Sequence, residues 1–174
     1  MAAAAKHLTP VTLELGGKSP CVVMPDANLE TTADRIVWGK YTNAGQTCIA
    51  PDYLLVDAAT EEKLVPLLQQ SITRMFGEDP AASDSYGRIV NDRHFERLAG
   101  MLASGNVAIG GESNAEERYF APTVLTGVTP DSPVMQEEIF GPILPILRAD
   151  DLEAAIRHIR AGDKPLAAYI FTKD

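Results

Sequence analysis

The chain is poor in cysteine, and this excludes several architectures at once. Two cysteines in 174 residues, Cys21 and Cys48, cannot build a disulfide framework or a four-ligand zinc site. A domain of this length does not need a bridge, because it buries roughly 70% of the surface its unfolded chain exposes. Two free thiols in a reducing, cytoplasmic setting is the reading they support, with no metal site. Positive charge is also in deficit. Fifteen Lys and Arg against 24 Asp and Glu leave a formal charge of -9, which repels phosphate backbones and anionic membranes, so no nucleic-acid or membrane partner is expected. No apolar run approaches the ~20 residues needed to span a bilayer. The opening Met1–Lys6 lacks the apolar core and cleavage site of a secretory signal and reads as a helix cut open. Repeats, low-complexity tracts and linkers are missing as well, so the whole chain, 1–174, reads as one domain.

What is present is an alternation of short apolar runs with amphipathic stretches. Val11–Leu15, Cys21–Met24, Tyr53–Val56, Asn106–Ile109, Ile143–Leu147 and Ala167–Phe171 read as strands. Pro145 places the fifth of these at an edge or a bulge. Asp26 or Asn28 can cap a helix whose rhythm is Leu29, Ala33, Ile36, Val37 and Lys40. A second helix carries Leu64, Leu67, Leu68, Ile72 and Met75, with Pro66 threatening its first turns. Asn91 caps a third, bearing Phe95, Leu98, Met101 and Leu102. Asp150 with Glu153 resembles a capping box for a fourth, bearing Leu152, Ile156 and Ile159. Residues 112–118 read as loop. The alternation predicts an α/β fold with a mostly parallel sheet flanked by helices.

Three stretches carry chemistry. Gly16-Gly-Lys-Ser19 imitates the end of a phosphate loop, but Thr12 stands where the leading glycine belongs and Pro20 where the helix would start. The first informative stretch is Asn43-Ala-Gly-Gln-Thr-Cys-Ile-Ala50, a thiol just past a helix end beside a glycine. An ordinary thiol is only a few per cent ionised near neutral pH yet already strongly nucleophilic. Cys21, inside an apolar strand, reads instead as a structural cysteine. The second stretch, Leu13-Glu-Leu-Gly-Gly-Lys18, sets Glu14 among leucines, where half-burial would raise its proton affinity and suit a general base; a solvated face of an edge strand is the alternative. The third, Gln136-Glu-Glu-Ile-Phe-Gly-Pro142, offers carboxylates for ribose hydroxyls and a ring for a flat cofactor, or else a solvated loop.

Together Leu13–Ser19, Asn43–Cys48 and Glu137–Pro142 resemble the glutamate, cysteine and cofactor-contact motifs of the aldehyde dehydrogenase superfamily, over about Leu8–Asp174. The form Gly45–Tyr53, followed by Ile143–Ile146, resembles its class 3 and coniferyl aldehyde dehydrogenases. The resemblance implies the catalytic, cysteine-bearing domain, with most of the NAD(P)-binding domain and a C-terminal segment lying outside these residues, including an oxyanion-hole asparagine. It implies Cys48 as nucleophile, with its main-chain N–H as an oxyanion donor, and Glu14 as the base for hydrolysis. It also implies Glu138, Phe140, Leu15 and Gly16 as contacts to NAD or NADP, an aldehyde as substrate, a homo-oligomeric parent enzyme, and an isolated fragment without activity. A cysteine hydrolase would need a histidine base from His7, His94 or His158. A non-catalytic relative would have lost Cys48 or Glu14.

Overall fold

A computed structural model describes residues 1–173; Asp174, the last residue of the compared stretch, lies outside them. The described elements are α1 (Ala2–Ala5), β1 (Pro20–Val23), α2 (Leu29–Tyr41), β2 (Tyr53–Val56), α3 (Ala58–Phe76), α4 (Asp92–Met101), β3 (Asn106–Ile109), β4 (Ser113–Asn114), β5 (Tyr119–Phe120), β6 (Thr123–Thr126), β7 (Ile143–Arg148), α5 (Leu152–Ala161) and β8 (Tyr169–Phe171). Six strands form one sheet in the order β3-β6-β7-β2-β1-β8, and β4 and β5 form a separate hairpin. Within the six-stranded sheet β3–β6 is antiparallel and β6–β7, β7–β2, β2–β1 and β1–β8 are parallel; the separate β4–β5 pair is antiparallel. The mostly parallel sheet flanked by helices is therefore the observed architecture.

The helices form where caps and periodicity predict. Asn28, not Asp26, caps α2 by accepting from the Thr31 N–H, and Asp26 instead accepts from Thr172 and the Lys173 N–H. Asn91 caps α4 through the His94 N–H. The last helix is capped by Asp151, one residue later than the Asp150–Glu153 spacing suggested, because Asp151 is the residue placed to accept from the Ala154 N–H. Asp57 caps α3 by accepting from Ala59 and Thr60. That helix runs unbroken through Pro66, with Leu64, Leu68 and Ile72 buried on one face, so packing outweighs the lost hydrogen bond.

Two strand expectations are corrected. β7 is neither an edge nor a bulge, because it pairs with β2 on one side and β6 on the other, with Pro145 in register with Leu125. Val11–Leu15 forms no strand; no described strand offers it a ladder, and Val11, Leu13 and Leu15 stay exposed. Conversely, β5 and β6 flank Ala121-Pro122, and buried Phe120, Val124 and Leu125 join the core. Cys21 is fully buried in β1, and burial pushes its thiol far above the ordinary range, as befits a structural residue.

Candidate active site

The three motif segments lead into the N-terminal ends of three adjacent parallel strands. Leu13–Ser19 runs into β1 at Pro20, Asn43–Asp52 into β2 at Tyr53, and Gln136–Pro142 into β7 at Ile143. Because β1 and β7 both pair with β2, segments far apart in sequence arrive at the same end of three neighbouring strands.

The cysteine segment is a tight left-handed turn. Asn43, Ala44 and Gly45 have φ of 54°, 53° and 74°, a conformation that costs roughly 1–2 kcal/mol for a residue with a Cβ. Gln46 holds it in place. Its Nε2 donates to Asn43 O and Arg88 O, each at 3.0 Å, and its Oε1 accepts the Val90 N–H at 2.9 Å. Asn43 Nδ2 returns a bond to Gln46 O at 3.1 Å. The next turn, closed by the Ala50 N–H to Thr47 O at 3.0 Å, carries Cys48 at its tip. Cys48 is exposed and free, and among the described residues its N–H has no hydrogen-bond acceptor. Gly45 is required here twice over, since its φ is positive and an added Cβ would lie 2.2 Å from Gly141 O. The cysteine turn thus packs backbone to backbone against the Phe140-Gly141 turn. Phe140 itself has φ 46° and a partly exposed ring.

The segment at Glu138 is clamped from two sides. Lys18 Nζ donates to Val134 O at 3.0 Å and to Glu137 O at 2.8 Å, and it pairs with the buried Asp52. The other Asp52 oxygen accepts the Ile139 N–H at 3.0 Å. From α4, Arg97 donates to Glu138 O and Ile139 O. These bonds fix the Glu138 backbone, and its carboxylate lies against Gly16, where a Cβ would meet Oε2 at 2.1 Å. Burial raises the Glu138 carboxyl above the ordinary carboxylate range, opposed by the Gly17 N–H; the Asp52 charge adds to the rise, while Lys18 and Lys40 lower it.

Gly16 and Glu138 are therefore brought together, as are the Cys48 turn and Phe140-Gly141. Leu15 is exposed beside Gly16. Glu14 is exposed rather than half-buried, so the expected desolvation is absent among the described residues. The structure gives Glu14 and Cys48 no direct hydrogen bond. The histidines do not serve Cys48 either: His158 stacks edge-on against Tyr53, and His94 lies beside Arg93 on α4. Sequence reasoning overlooked Lys18, Asp52, Arg97 and Gln46. Lys18 and Gln46 lie inside the motif segments, and Lys40 was visible as a cation on the apolar rhythm of α2. No group of three or more His, Cys, Asp or Glu side chains among the described residues could hold a metal, and no described helix is long and apolar enough to cross a membrane.

The family model described as "Aldehyde dehydrogenase family" matches residues 1–174. The chain is 57% identical over 173 residues to aldehyde dehydrogenase family 3 member B1 of Rattus norvegicus, covering 99% of this chain and 37% of the relative. It is 54% identical over 174 residues to the rat "aldehyde dehydrogenase, dimeric NADP-preferring", covering 100% of this chain and 38% of that protein. Among solved structures, the substrate-bound state of Staphylococcus aureus AldH superposes with a TM-score of 0.96 at 48% identity, over 99% of this chain and 38% of that one. The chain thus spans little more than a third of the length of these relatives.

Proposed function

From the premise that this chain belongs to the aldehyde dehydrogenase family, we propose that residues 1–174 are the cysteine-bearing catalytic domain of an NAD(P)-dependent enzyme that oxidises an aldehyde to a carboxylic acid. The activity is proposed for a polypeptide of the relatives' full extent. The observation that carries this reading is the exposed Cys48 thiol at the tip of a braced turn. Its N–H has no acceptor among the described residues, and its turn packs beside the Phe140-Gly141 turn, with Gly16 and Glu138 at the same end of the strands.

The Cys48 sulfur, as thiolate, adds to the aldehyde carbon and forms the C–S bond of a thiohemiacetal. Charge develops on the former carbonyl oxygen, and the Cys48 N–H is available to donate to it; one such donor is worth ~3–4 kcal/mol in comparable sites. The residues present fit a nicotinamide dinucleotide. Glu138 is a partly buried carboxylate fixed at its backbone and backed by a glycine whose Cβ would displace it, so it can accept ribose hydroxyls, with Phe140 and the Leu15-Gly16 backbone alongside. When bound, NAD or NADP supplies the hydride acceptor; the name of the NADP-preferring rat relative supports the phosphorylated form as one alternative. Hydride loss leaves a thioester on Cys48. Glu14 then takes a proton from the attacking water, the C–S bond breaks, and the acid leaves with the Cys48 thiolate restored. That relative's name also supports a dimer for the parent enzyme, and the free thiols are compatible with a cytoplasmic location.

The test is kinetic, on the full polypeptide. Cys48→Ala should abolish reduced-nicotinamide formation. Glu14→Gln should keep a single-turnover burst while slowing steady-state turnover by roughly 10²–10⁴-fold, the usual worth of a general base. An unchanged steady-state rate in the second variant would remove the base role.

A further inference from the structure

The turn that carries Cys48 is tied to a strand that the mechanism above does not use. β8 pairs in parallel with β1, and Tyr169 is in register with Cys21. Tyr169 therefore opens β8 at the strand end where the motif segments arrive. Its hydroxyl donates to Ile49 O at 2.5 Å, across 120 positions of sequence. Among the described residues this is the one side-chain hydrogen bond made to residues 47–50. The Tyr169 ring is partly buried against the core. The strand behind it is latched by the Met24 N–H to Phe171 O at 2.9 Å, and by Asp26 at Thr172 and Lys173. The hydroxyl is thus presented from a fixed ladder. Burial raises the phenol above its ordinary pKa, with the Cys21 and Cys48 sulfurs adding to the rise, so it stays a donor near neutral pH.

The bond bears on the direction of a backbone N–H. The peptide group between Ile49 and Ala50 is held at both ends, its carbonyl by Tyr169 and its N–H by Thr47 O at 3.0 Å. Thr47 O belongs to the peptide group that also carries the Cys48 N–H. That group is planar and trans, so its C=O and N–H point in opposite directions. Turning Thr47 O toward Ala50 therefore turns the Cys48 N–H outward, where it meets no acceptor among the described residues. A peptide group released at its carbonyl can rock between its neighbours. One bonded at both ends cannot.

We infer that Tyr169 is a positioning residue: its hydroxyl locks the Ile49–Ala50 peptide group and, through Thr47 O, aims the Cys48 N–H at the carbonyl oxygen of the compound that Cys48 attacks. The inference rests on the roles proposed above for the Cys48 sulfur and N–H, and it adds what holds that donor in direction. A donor already aimed where charge develops stabilises it without reorganising at the moment of reaction.

The experiment compares Tyr169→Phe and Cys48→Ala with the unsubstituted protein, in the full polypeptide and without cofactor, using two reagents for the same sulfur. p-Nitrophenyl acetate is attacked at its carbonyl. The C–S bond forms, charge develops on the carbonyl oxygen, and the C–O bond to p-nitrophenolate then breaks. Iodoacetamide is attacked at its methylene carbon, iodide leaves, and no oxyanion forms. Tyr169→Phe keeps the packed ring and removes only the donor, so the melting temperature should fall by no more than a few degrees. The burst of p-nitrophenolate should slow about ten-fold, a part of the 10²–10³-fold that removal of a whole oxyanion donor costs. Alkylation at Cys48, followed by mass spectrometry, should keep the rate of the unsubstituted protein. Equal slowing with both reagents would make Tyr169 a general brace of the turn and overturn the inference. An unchanged burst, or slower alkylation alone, overturns it as well. A burst that survives in Cys48→Ala removes Cys48 as the attacking sulfur, and the inference falls with that reading.

Discussion

At the scale of single residues, the two glycines of the site fail in different ways when a methyl group is added. At Gly16 the nearest atoms to a new Cβ are the carboxylate oxygens of Glu138, the far end of a side chain that can swing. Gly16→Ala should therefore leave the melting temperature nearly unchanged and raise the KM for NAD(P) several-fold, since the displaced carboxylate is the group proposed to meet the ribose. A KM equal to that of the parent protein would show that Glu138 does not need this position. Cys48 and Cys21 make a similar contrast. One thiol is exposed at the tip of a turn, and the other is sealed in β1.

Within single elements, the left-handed turn at residues 43–45 concentrates strain beside the cysteine. Gly45→Ala meets a backbone oxygen at 2.2 Å and must keep a positive φ, so neither atom can yield cheaply. The expected loss is about 2–4 kcal/mol in a urea unfolding series, adding the conformational cost to that of overpacking. A change below about 0.5 kcal/mol, ordinary for a surface substitution, would mean that the turn relaxes freely. Elements also show where sequence patterns carry and where they fail. The rhythm of α2 and the Asn91 cap of α4 are local, set by side chains within four residues, and both are realised. Val11–Leu15 has the composition of a strand but no ladder, whereas Pro145 sits in an interior strand because its neighbours on both sides hold it there.

Across the whole molecule, the apolar surface is unevenly distributed. A cleft of about 710 Å³ is lined by Trp38, Ile49, Pro51 and Ile170 among others, and Trp38 and Ile170 are largely exposed. The Leu13–Leu15 segment is likewise uncovered. Holding cofactor, substrate and thiol in one geometry supplies much of an enzyme's rate, and Glu14 has no direct bond to Cys48 here. The 174-residue chain alone should therefore show negligible aldehyde oxidation with NAD+ or NADP+. Robust turnover by the purified chain would show that it holds the cofactor unaided.

The sequence alone determined the class of fold, the Asn91 cap of α4 and the identity of the chemical groups, because each depends on neighbours a few residues away or on side-chain type, whereas the cap of the last helix fell to Asp151 and not Asp150. It also carried the three motif segments by which the family resemblance was drawn. Tertiary structure alone decided that these segments meet at one end of neighbouring strands, since the β1-β2-β7 order comes from pairing between residues more than thirty positions apart. The environment of each charge was decided there too. Glu14 came to lie exposed and Glu138 partly buried, and a lysine that α2 carries on its apolar face ended without a bonding partner. Desolvation is set by whatever packs around a group, and that is fixed only when distant parts of the chain have met.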